Sequence, residues 1–341
     1  MNLQDLDFPY PEHLVATERL EKSRVMRVRA GQFEELTPFE ALLDEFQAGD
    51  LLVLNDSRVL RRRVFTQKSG LEILFLAPLN AERTLWRVLC PSSRWKPGVL
   101  ETIPEGVELE LVERGRTQVL RASAPLPESY FEKYGEMPLP PYIQKARGER
   151  HNRHSDSWQY QTAWARRDGS LAAPTASLHF TSEHLEQLRK KDVRIETLTL
   201  HVGLGTFMPI AVENLDDHVM HSETVMVPPE TWRAVLETRA NGRRVWALGT
   251  TVTRALESVA LGRLEGTPET GFAGETDLFI RPGFEWHIVD VLMTNFHQPR
   301  STLLALVAAF AGLETVRKAY AWAIEREFRL FSYGDLSVWS R

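Results

Sequence analysis

Apolar runs in the second half of the chain repeatedly end in a short cluster of reactive polar residues. Residues 245–248 are uniformly apolar and predict a buried strand. Residues 249–251 predict a tight turn, and residues 252–260 predict a helix that Thr250 and Thr251 cap. In open α/β folds, ligands bind outside the carboxyl ends of the strands, so the polar cluster at this point is a candidate site.

The same arrangement recurs further along the chain. Residues 288–293 predict a strand, residues 294–301 a loop, and residues 302–310 a largely buried helix that ends at Gly312. Five polar clusters of this kind lie in the second half of the sequence. Their number and spacing predict one assembled active site.

A different pattern interrupts the α/β part of the chain. From residue 63 onward, short alternating runs are separated by turn signals, which is typical of a small antiparallel barrel or sandwich. We therefore predict an α/β fold in which a barrel-like α/β domain carries an inserted small antiparallel β-barrel domain. The α/β catalytic domain covers residues 1–62 and 155–341, and residues 63–154 form the inserted domain with its connecting segment.

Composition excludes several classes of protein. A chain of 341 residues is long enough for two domains. Cys90 is the single cysteine, which excludes a disulfide framework and a thiolate metal cage, and its apolar neighbours predict an inert core residue. No apolar run reaches the ~18 residues of a membrane helix, and the acidic, proline-broken start does not resemble a signal peptide. We expect a cytoplasmic protein without membrane contact.

The charge of the protein argues against indiscriminate coating of nucleic acid, because the net charge is −5 and the pI is near 6.1. Basic residues are nevertheless grouped. A single basic run is most often a solvated surface, but several runs on an acidic protein are compatible with phosphate binding. The three basic clusters are Arg58 with residues 61–63, residues 145–154, and Arg239 with Arg243 and Arg244.

His218, His221 and Glu223 form an H-x-x-H-x-E motif. Imidazole and carboxylate could bind zinc or iron, but the histidine pair lacks a fixed third ligand, so we predict no metal. Proton transfer fits better, because histidine titrates near neutral pH and a neighbouring carboxylate sets its tautomer and basicity. A structural role for one of the two histidines is the alternative.

A glycine-containing segment follows the strand predicted at residues 193–200. It carries His201, Gly203, Gly205 and Thr206. As a phosphate loop this is a weak signal, since the third glycine of a dinucleotide loop and the Lys-Ser/Thr of a P-loop are missing. Two glycines beside a histidine would still permit close approach of an adenosine or a sulfonium compound.

Further polar candidates lie on the later elements. Arg254 and Glu257 share the predicted helix, where they could form an intrahelical ion pair, or Arg254 could bind a carboxylate through two hydrogen bonds. Asn295 and His297 share a loop between apolar elements, where polar side chains are costly unless they are paired or used. Asp335 lies near the end of the sequence, so its segment would have to pack back onto the site.

A series of unusual strings now carries a family resemblance. The series extends from about Leu51 to Asp335 and resembles, in order, the motifs of the S-adenosylmethionine:tRNA ribosyltransferase-isomerase family of queuosine biosynthesis. The strings are LLVLNDSRV, MPLPPYI, YQTAWA, AAPTASLHF, LHVGLGTF, HVMHSE, GTTVTRALES, TNFHQPRSTLLALVAAFAG and FRLFSYGD.

The resemblance implies an enzyme that moves the ribosyl part of S-adenosylmethionine onto 7-aminomethyl-7-deazaguanine at the wobble position of a tRNA. Isomerisation of that ribosyl part would give epoxyqueuosine-tRNA, with adenine and methionine as the other products. The resemblance also implies an α/β domain with an inserted β-barrel domain, no cofactor and no metal, and a monomer.

The resemblance further implies residue roles. A base must remove a proton beside the sulfonium and an acid must assist the departure of adenine, and we expect His218, His221 and Asp335 in these roles, with Glu223 orienting a histidine. Arg254 is expected to bind the methionine carboxylate of the donor. The other substrate-binding candidates are His201, Gly203, Gly205, Thr206, Thr250, Thr251, Asn295 and His297. The tRNA-binding candidates are Arg58, Lys145 and Arg147.

Two departures from the family pattern leave alternatives open. The family usually has a glycine where Ser177 stands, and a glycine pair near a basic residue where this chain has residues 67–72. One alternative is a paralogue that uses the same donor on a different acceptor. Another is a tRNA-binding protein without catalytic activity.

Overall fold

A computed structural model describes residues 1–19, 21–96, 98–203, 205 and 210–341. The strands in this part of the chain are β1 Val25–Arg29, β2 Gln32–Leu36, β3 Leu51–Asn55, β4 Ser57–Val59, β5 Arg63–Phe65, β6 Glu72–Pro78, β7 Leu85–Leu89, β8 Glu101–Ile103, β9 Val107–Glu113, β10 Gln118–Ala122, β11 Arg167–Ser170, β12 Arg194–Leu200, β13 Glu223–Val227, β14 Val245–Leu248, β15 Glu265–Thr267, β16 Gly271–Thr276, β17 Val291–Asn295 and β18 Leu336–Ser340. The α-helices are α1 Glu128–Tyr134, α2 Pro141–Arg147, α3 Asp156–Gln159, α4 Ser182–Lys190, α5 Pro229–Ala240, α6 Thr250–Ala260, α7 Thr302–Ala311 and α8 Leu313–Glu325.

The chain divides into two compact units. The larger unit consists of Met1–Arg58, Pro140–Glu149 and Gln159–Arg341, and the smaller unit consists of Val59–Leu139 and Arg150–Trp158. The smaller unit therefore interrupts the larger one twice.

This division differs from the predicted one in the placement of α2, which the prediction counted with the insertion, and of residues 59–62 and 155–158, which it counted with the α/β domain. Contacts inside the larger unit account for the placement of α2. The ring of Tyr142 lies 5.2 Å from that of Phe331, and its hydroxyl accepts a hydrogen bond of 3.1 Å from the Ser332 amide. These contacts join residues far apart in the sequence, so local pattern does not predict them.

A mixed sheet of ten strands forms the centre of the larger unit, in the order β15-β16-β13-β12-β3-β14-β17-β18-β1-β2. The neighbours β12, β3, β14 and β17 pair in parallel. Every residue of β3 and of β14 is buried, because α5 and α6 pack on one face of these strands and α4 packs on the other. Strands buried on both faces read as continuous apolar runs, which explains the pattern that predicted them.

The carboxyl ends of the four parallel strands meet at one edge of the sheet, which we call the carboxyl edge. Two further strands begin there. β13 runs antiparallel to β12 and begins at Glu223. β18 runs antiparallel to β17, and its first residue, Leu336, pairs with Asn295. The pairings therefore place the starts of β13 and β18, with the polar residues around them, at the same edge.

The predicted elements around this edge are observed, with two differences. The strand predicted at 245–248 is β14, and the buried helix that ends at Gly312 is α7. However, β17 begins at Val291 rather than at residue 288 and continues to Asn295, and α6 already begins at Thr250. The predicted threonine cap is wrong, because the N-cap residue is Gly249 and the cap has no side-chain hydrogen bond. Gly249 has a φ of 99°, a conformation that favours glycine in the sharp turn from strand to helix.

The smaller unit is an antiparallel sheet of six strands in the order β5-β6-β7-β10-β9-β8. The Gln67 amide donates a hydrogen bond of 2.7 Å to the Thr102 carbonyl, which links the two end strands and nearly closes the sheet. Its core contains an aromatic cluster of Phe75, Trp86 and Phe131. The predicted fold class, an α/β domain with an inserted antiparallel barrel-like domain, is confirmed.

Cys90 is buried in this core, as predicted, and burial raises the pKa of its thiol to about 11. Along the described residues, the structure contains no helix with the length and apolar character that crossing a membrane requires.

Candidate active site

A buried ion pair lies at the carboxyl edge, between the start of β13 and helix α6. Glu223 and Arg254 are each 6 % exposed, and Nη1 of Arg254 donates to Oε2 of Glu223. The other carboxylate oxygen accepts a 2.9 Å hydrogen bond from the Gly203 amide. Nε of Arg254 donates to the Leu278 carbonyl at 2.9 Å.

Nη2 of Arg254 is also buried, but it has no hydrogen-bond partner among the described residues. A buried donor without an acceptor costs about 1–3 kcal/mol. The fork that we predicted for two-pronged binding of a carboxylate is already occupied at Nη1 and Nε. Nη2 is therefore the one guanidinium nitrogen left without a partner among the described residues, and its N–H groups can bind a further acceptor.

Glu257 has a different role from the intrahelical pairing considered above. Its Oε1 accepts hydrogen bonds from the Ile288 and Val289 amides, and its Oε2 from the His287 amide, each at 3.0 Å. Glu257 is fully buried and holds the segment that leads into β17. The predicted ion pair between Glu257 and Arg254 is wrong, because Glu257 binds the amides of residues 287–289 and Arg254 binds Glu223.

Gly203 and Gly205 of the glycine-containing segment lie close to Glu223, the first residue of β13, and to His221 before it. A Cβ atom added at Gly203 would lie 3.6 Å from Cγ of Glu223, and one added at Gly205 would lie 3.5 Å from Cδ2 of His221. The fold thus brings Gly205 beside His221 and Gly203 beside Glu223. Thr206 lies outside the described residues.

His201 is half-buried at the end of β12. Its Nδ1 is buried and makes no hydrogen bond within the described part of the chain. Burial lowers the pKa of His201, and the nearby Asp56 charge opposes this shift. A Cβ atom added at Gly169 would lie 2.7 Å from the His201 ring, so only a glycine fits there.

His218 and His221 are both half-buried. The ring of His218 meets that of Phe279 edge to face at 5.2 Å. Within the described ranges, no group of three or more histidine, cysteine and acidic residues is arranged to hold a metal ion. The proton-transfer roles of the two histidines, and an orienting role of Glu223, stay predictions.

The strand-to-helix turn after β14 contributes Thr250 and Thr251. Oγ1 of Thr251 accepts a 3.3 Å hydrogen bond from Nδ2 of Asn55, which also donates to the Leu200 carbonyl at 2.9 Å. Asn55 thus links the ends of β3 and β12 to the start of α6. Thr250 is 7 % exposed. Asn55 was not among the predicted site residues, although it carries the same signal, a polar residue at the end of an apolar run.

Asp56, the next residue, was also missed. It is 2 % exposed, its Oδ1 accepts a 2.5 Å hydrogen bond from Thr199 Oγ1, and its Oδ2 accepts a 2.8 Å hydrogen bond from Arg166 Nη2. Arg166 is far away in the sequence, so only the fold reveals this pairing.

Asn295 belongs to a satisfied network at the end of β17. Its Nδ2 lies 3.0 Å from Nε2 of His179, and its Oδ1 accepts a 3.0 Å hydrogen bond from Thr175 Oγ1. The other nitrogen of His179 lies 2.6 Å from Ser23 Oγ. Burial, with the nearby Arg19 charge, lowers the pKa of His179 to about 3. His179 therefore acts as a neutral hydrogen-bonding group, and sequence reasoning missed it.

His297 is 8 % exposed and is held on both sides. Its Nε2 lies 2.8 Å from Thr294 Oγ1, and its amide donates to the Tyr320 hydroxyl at 2.8 Å. Burial lowers the pKa of His297 to about 3. The imidazole is consequently neutral at physiological pH.

Asp335 lies just before β18 and is fully buried. Its Oδ1 accepts a 2.8 Å hydrogen bond from the Arg24 amide, and its Oδ2 accepts a 2.7 Å hydrogen bond from the Arg329 amide. Burial raises the pKa of the carboxyl group, and these two amides oppose the shift. Both oxygens thus bind backbone, an arrangement typical of a carboxylate that fixes a loop; a catalytic role for Asp335 stays a prediction.

The basic residues expected to bind tRNA have different surroundings. Arg58 is exposed and donates to the Ala165 carbonyl at 2.8 Å, and Arg147 donates to the Thr17 carbonyl at 2.8 Å. Lys145 is exposed and lies 2.9 Å from Glu12. In the smaller unit, the neighbours of Arg58 in sequence, Arg62 and Arg63, are buried, so the predicted cluster is not one solvated surface.

Comparison with known proteins assigns a class to this fold and site. A protein of Azoarcus sp. (strain BH72) is 41 % identical, over 100 % of this chain and 98 % of its own length, and one of Geobacter sulfurreducens is 43 % identical, over 98 % of each chain. Both are named S-adenosylmethionine:tRNA ribosyltransferase-isomerase. The chain is accordingly an enzyme with ribosyltransferase-isomerase activity, which removes the alternative of a non-catalytic binding protein.

A solved structure gives the same result for the fold. The crystal structure of an S-adenosylmethionine tRNA ribosyltransferase from Thermotoga maritima is similar to this chain with a TM-score of 0.56 and 34 % identity, over 98 % of this chain and 99 % of the other. The model of the family described as queuosine biosynthesis protein matches residues 3–338. The chain therefore belongs to the queuosine biosynthesis protein family.

Proposed function

We propose that the enzyme transfers the ribosyl moiety of S-adenosylmethionine to 7-aminomethyl-7-deazaguanine at the wobble position of a tRNA and isomerises it. The products are epoxyqueuosine-tRNA, adenine and methionine. The names of the similar enzymes support the donor and the use of tRNA. The particular acceptor base and product follow from the motif resemblance.

The observation that carries the proposal is the buried Glu223–Arg254 pair with the orphan Nη2 of Arg254. S-adenosylmethionine carries a carboxylate, and a charge-assisted hydrogen bond to arginine is about twice as strong as a neutral one. The donor carboxylate would satisfy the orphan donor. The donor sulfonium would then lie near the Glu223 side of the site, where negative charge favours it.

Proton transfer is assigned to His221 and His218. The sulfonium acidifies the adjacent ribose carbon, and a base must remove that proton before adenine leaves. We assign this step to His221, because its ring lies beside Gly205 in the segment expected to approach the donor. His218 is the candidate acid for the departing adenine, and Glu223 orients this part of the site.

The other candidates complete the proposed site. His201, whose Nδ1 has no hydrogen-bond partner among the described residues, and Thr250 would contact the donor. Asn295 and His297 would contact the ribose or base of the donor through neutral hydrogen-bonding groups.

Lys145 is the strongest tRNA candidate, since an exposed ion pair is worth only about 0–1 kcal/mol and is readily exchanged for a phosphate. Arg58 and Arg147 are proposed beside it. Independence of any cofactor, a monomeric state and a cytoplasmic location belong to the same proposal.

The test follows adenine release from S-adenosylmethionine, with and without tRNA that carries 7-aminomethyl-7-deazaguanine at the wobble position. Release that requires this tRNA, with a matching mass gain on the wobble nucleoside, is the expected result. His221→Asn should abolish release while donor binding persists, and His13→Asn, at an exposed position, is the matched control. Full release by His221→Asn would reject the assignment of the base.

A second acceptor is favoured by one observation at Ser177. Its hydroxyl is fully buried and has no hydrogen-bond partner in the described part of the chain. The neighbouring Ala176 packs against the Gly249 turn: a Cβ atom added at Gly249 would lie 3.8 Å from the Ala176 Cβ atom. An acceptor that bonds this hydroxyl would differ from the expected wobble base. Adenine release with another RNA, lost in Ser177→Gly, would support this alternative.

A further inference from the structure

An arginine-rich cavity lies at the opposite edge of the ten-stranded sheet from the candidate active site. Its volume is about 390 Å³. It is bounded by the residue before β14, the first residue of β17 and the ends of β1 and β18, so it lies at the amino ends of β14 and β17. Its basic side chains are those of Arg29, Arg239, Arg243, Arg244 and Arg341. We call it the arginine cavity.

The acidic side chains of the arginine cavity do not balance these charges. Two acidic residues, Glu45 and Asp290, face five arginines. Oδ1 of Asp290 lies 3.9 Å from Arg239 and 4.0 Å from Arg341, which is the outer limit of an ion pair. One carboxylate is thus shared weakly between two guanidinium groups.

The other arginines of the cavity have guanidinium N–H groups without a hydrogen-bond partner among the described residues. Nη2 of Arg244 donates to Asp50 at 2.7 Å, but its Nε is buried and has no hydrogen-bond partner among the described residues. Arg243 makes one long contact, 3.5 Å from Nη1 to Gln47 Oε1. The side chain of Arg29 is exposed and makes no hydrogen bond or ion pair within the part of the chain that the structure describes.

The charge and the guanidinium groups of the cavity favour a phosphate ligand. A protein of net charge −5 that gathers five arginines around one cavity creates a local field that attracts anions. Guanidinium groups match the oxygens of a phosphate with two parallel hydrogen bonds. None of the described residues that line the cavity is aromatic, so it offers no stacking surface for a nucleobase. These features suit a backbone phosphate better than a nucleotide.

We propose that the arginine cavity binds a phosphodiester group of the tRNA backbone, away from the modified nucleotide. The choice of tRNA as the partner rests on the proposed function. β17 has five residues, so the two edges of the sheet lie about 17 Å apart along a strand. A folded RNA seated at the carboxyl edge has only to extend over this distance. The contact fixes the position of the RNA and reads no base.

The test compares the tRNA affinity of two charge-matched double variants of the full chain. Arg29→Glu with Arg243→Glu removes the two arginines of the cavity that form no ion pair among the described residues. Lys318→Glu with Arg263→Glu changes the net charge equally at exposed positions outside the cavity. Dissociation constants are measured over a range of salt concentrations, together with adenine release at saturating tRNA.

We expect the cavity variant to bind tRNA at least about tenfold more weakly than the control variant. The slope of log affinity against log salt should become shallower by about 1–2, because each phosphate contact contributes about 0.9. Modified and unmodified tRNA should lose affinity equally, and turnover at saturating tRNA should be unchanged. A cavity variant that matches the control in affinity and in slope would overturn the proposal.

Two further outcomes distinguish a failure of the arginine-cavity proposal from a failure of the proposed function. If the wild type binds tRNA through the cavity but releases no adenine, the proposed reaction fails and the cavity proposal stands. If adenine release is normal but the cavity variant keeps its affinity, the cavity proposal alone fails. Inorganic pyrophosphate serves as the free-anion probe: loss of its binding without a change in tRNA affinity would assign the cavity to a free anion and overturn the RNA proposal.

Discussion

Two groups of buried polar residues at the carboxyl edge differ in how completely their hydrogen bonds are satisfied. Around β17 and β18, Asp335 bonds two backbone amides, and Asn295 bonds His179 and Thr175. Around β12 and β13, by contrast, Nη2 of Arg254 in the Glu223–Arg254 pair and Nδ1 of His201 have no hydrogen-bond partner in the described residues. A buried polar group without a partner requires an explanation, and an absent ligand is the simplest one. The satisfied group is therefore complete without a ligand, and the unsatisfied group indicates where a ligand would supply the missing hydrogen bonds.

The largest test of this comparison removes the arginine of the buried pair. Arg254→Met leaves Glu223 buried and unpaired, and we expect it to lower the free energy of unfolding by about 3–5 kcal/mol. The double variant with Glu223→Met should recover most of this stability, because no isolated charge remains, but it should not recover binding of S-adenosylmethionine. Urea denaturation and equilibrium donor binding measure the two effects. A double variant that binds the donor normally would contradict the functional reading of the pair.

Asp335→Asn tests the satisfied group. An asparagine NH₂ group cannot accept a hydrogen bond, so one of the amides of Arg24 and Arg329 loses its acceptor. We expect a loss of about 1–3 kcal/mol of stability. If Asp335 only fixes the loop, adenine release per folded molecule stays close to that of the wild type. If release is abolished in a protein that remains folded, Asp335 is catalytic after all.

The two buried histidines near β17, His179 and His297, predict a pH dependence of the free energy of unfolding. The pKa of His297 is about 3 in the folded protein, against about 6.5 in the unfolded chain. Between these values the unfolded chain binds more protons, so this contribution to stability is present above pH 6.5 and is lost as the pH falls towards 3. Removing one such histidine, as in His297→Gln, should flatten the slope by up to about 1.4 kcal/mol per pH unit.

Denaturation of the wild type and of His297→Gln at several pH values checks this prediction. His13→Gln, at an exposed position, is the control and should leave the slope as in the wild type. Equal slopes for His297→Gln and the wild type would mean that His297 is protonated in the folded state.

The smallest expected effect concerns the glycine beside Glu223. An alanine Cβ at Gly203 would make ordinary contact at 3.6 Å, and the backbone there is not in the left-handed region. Gly203→Ala should change the free energy of unfolding by less than about 1 kcal/mol, yet weaken donor binding if the donor passes close to this backbone.

Gly169→Ala is the matched comparison for that variant. Its Cβ would lie 2.7 Å from the His201 ring, and its φ is 147°, so it should destabilise the protein clearly more. A Gly203→Ala enzyme with unchanged donor affinity would exclude close approach of the donor at this glycine.

Much of the architecture could be predicted from the sequence. Uniform burial of β3 and β14 appears as continuous apolar runs, and the alternating runs of the inserted unit predicted its antiparallel sheet. Placement of α2 could not be predicted, because Tyr142 is held by Phe331 and Ser332. The start of α6 was predicted two residues too late, because the N-cap is Gly249, with its positive φ, and not the expected threonines.

The sequence by itself determined which polar clusters follow the strands, and hence that His201, Glu223, Arg254, Asn295 and Asp335 would gather at one edge. Only the tertiary structure decided their partners. Arg254 pairs with Glu223 of β13 rather than with Glu257 of its own helix, and Asp335 bonds two backbone amides. The physical reason is that strand order and register set which side chains meet, and a buried charge is stable only beside the partner that the packed sheet provides.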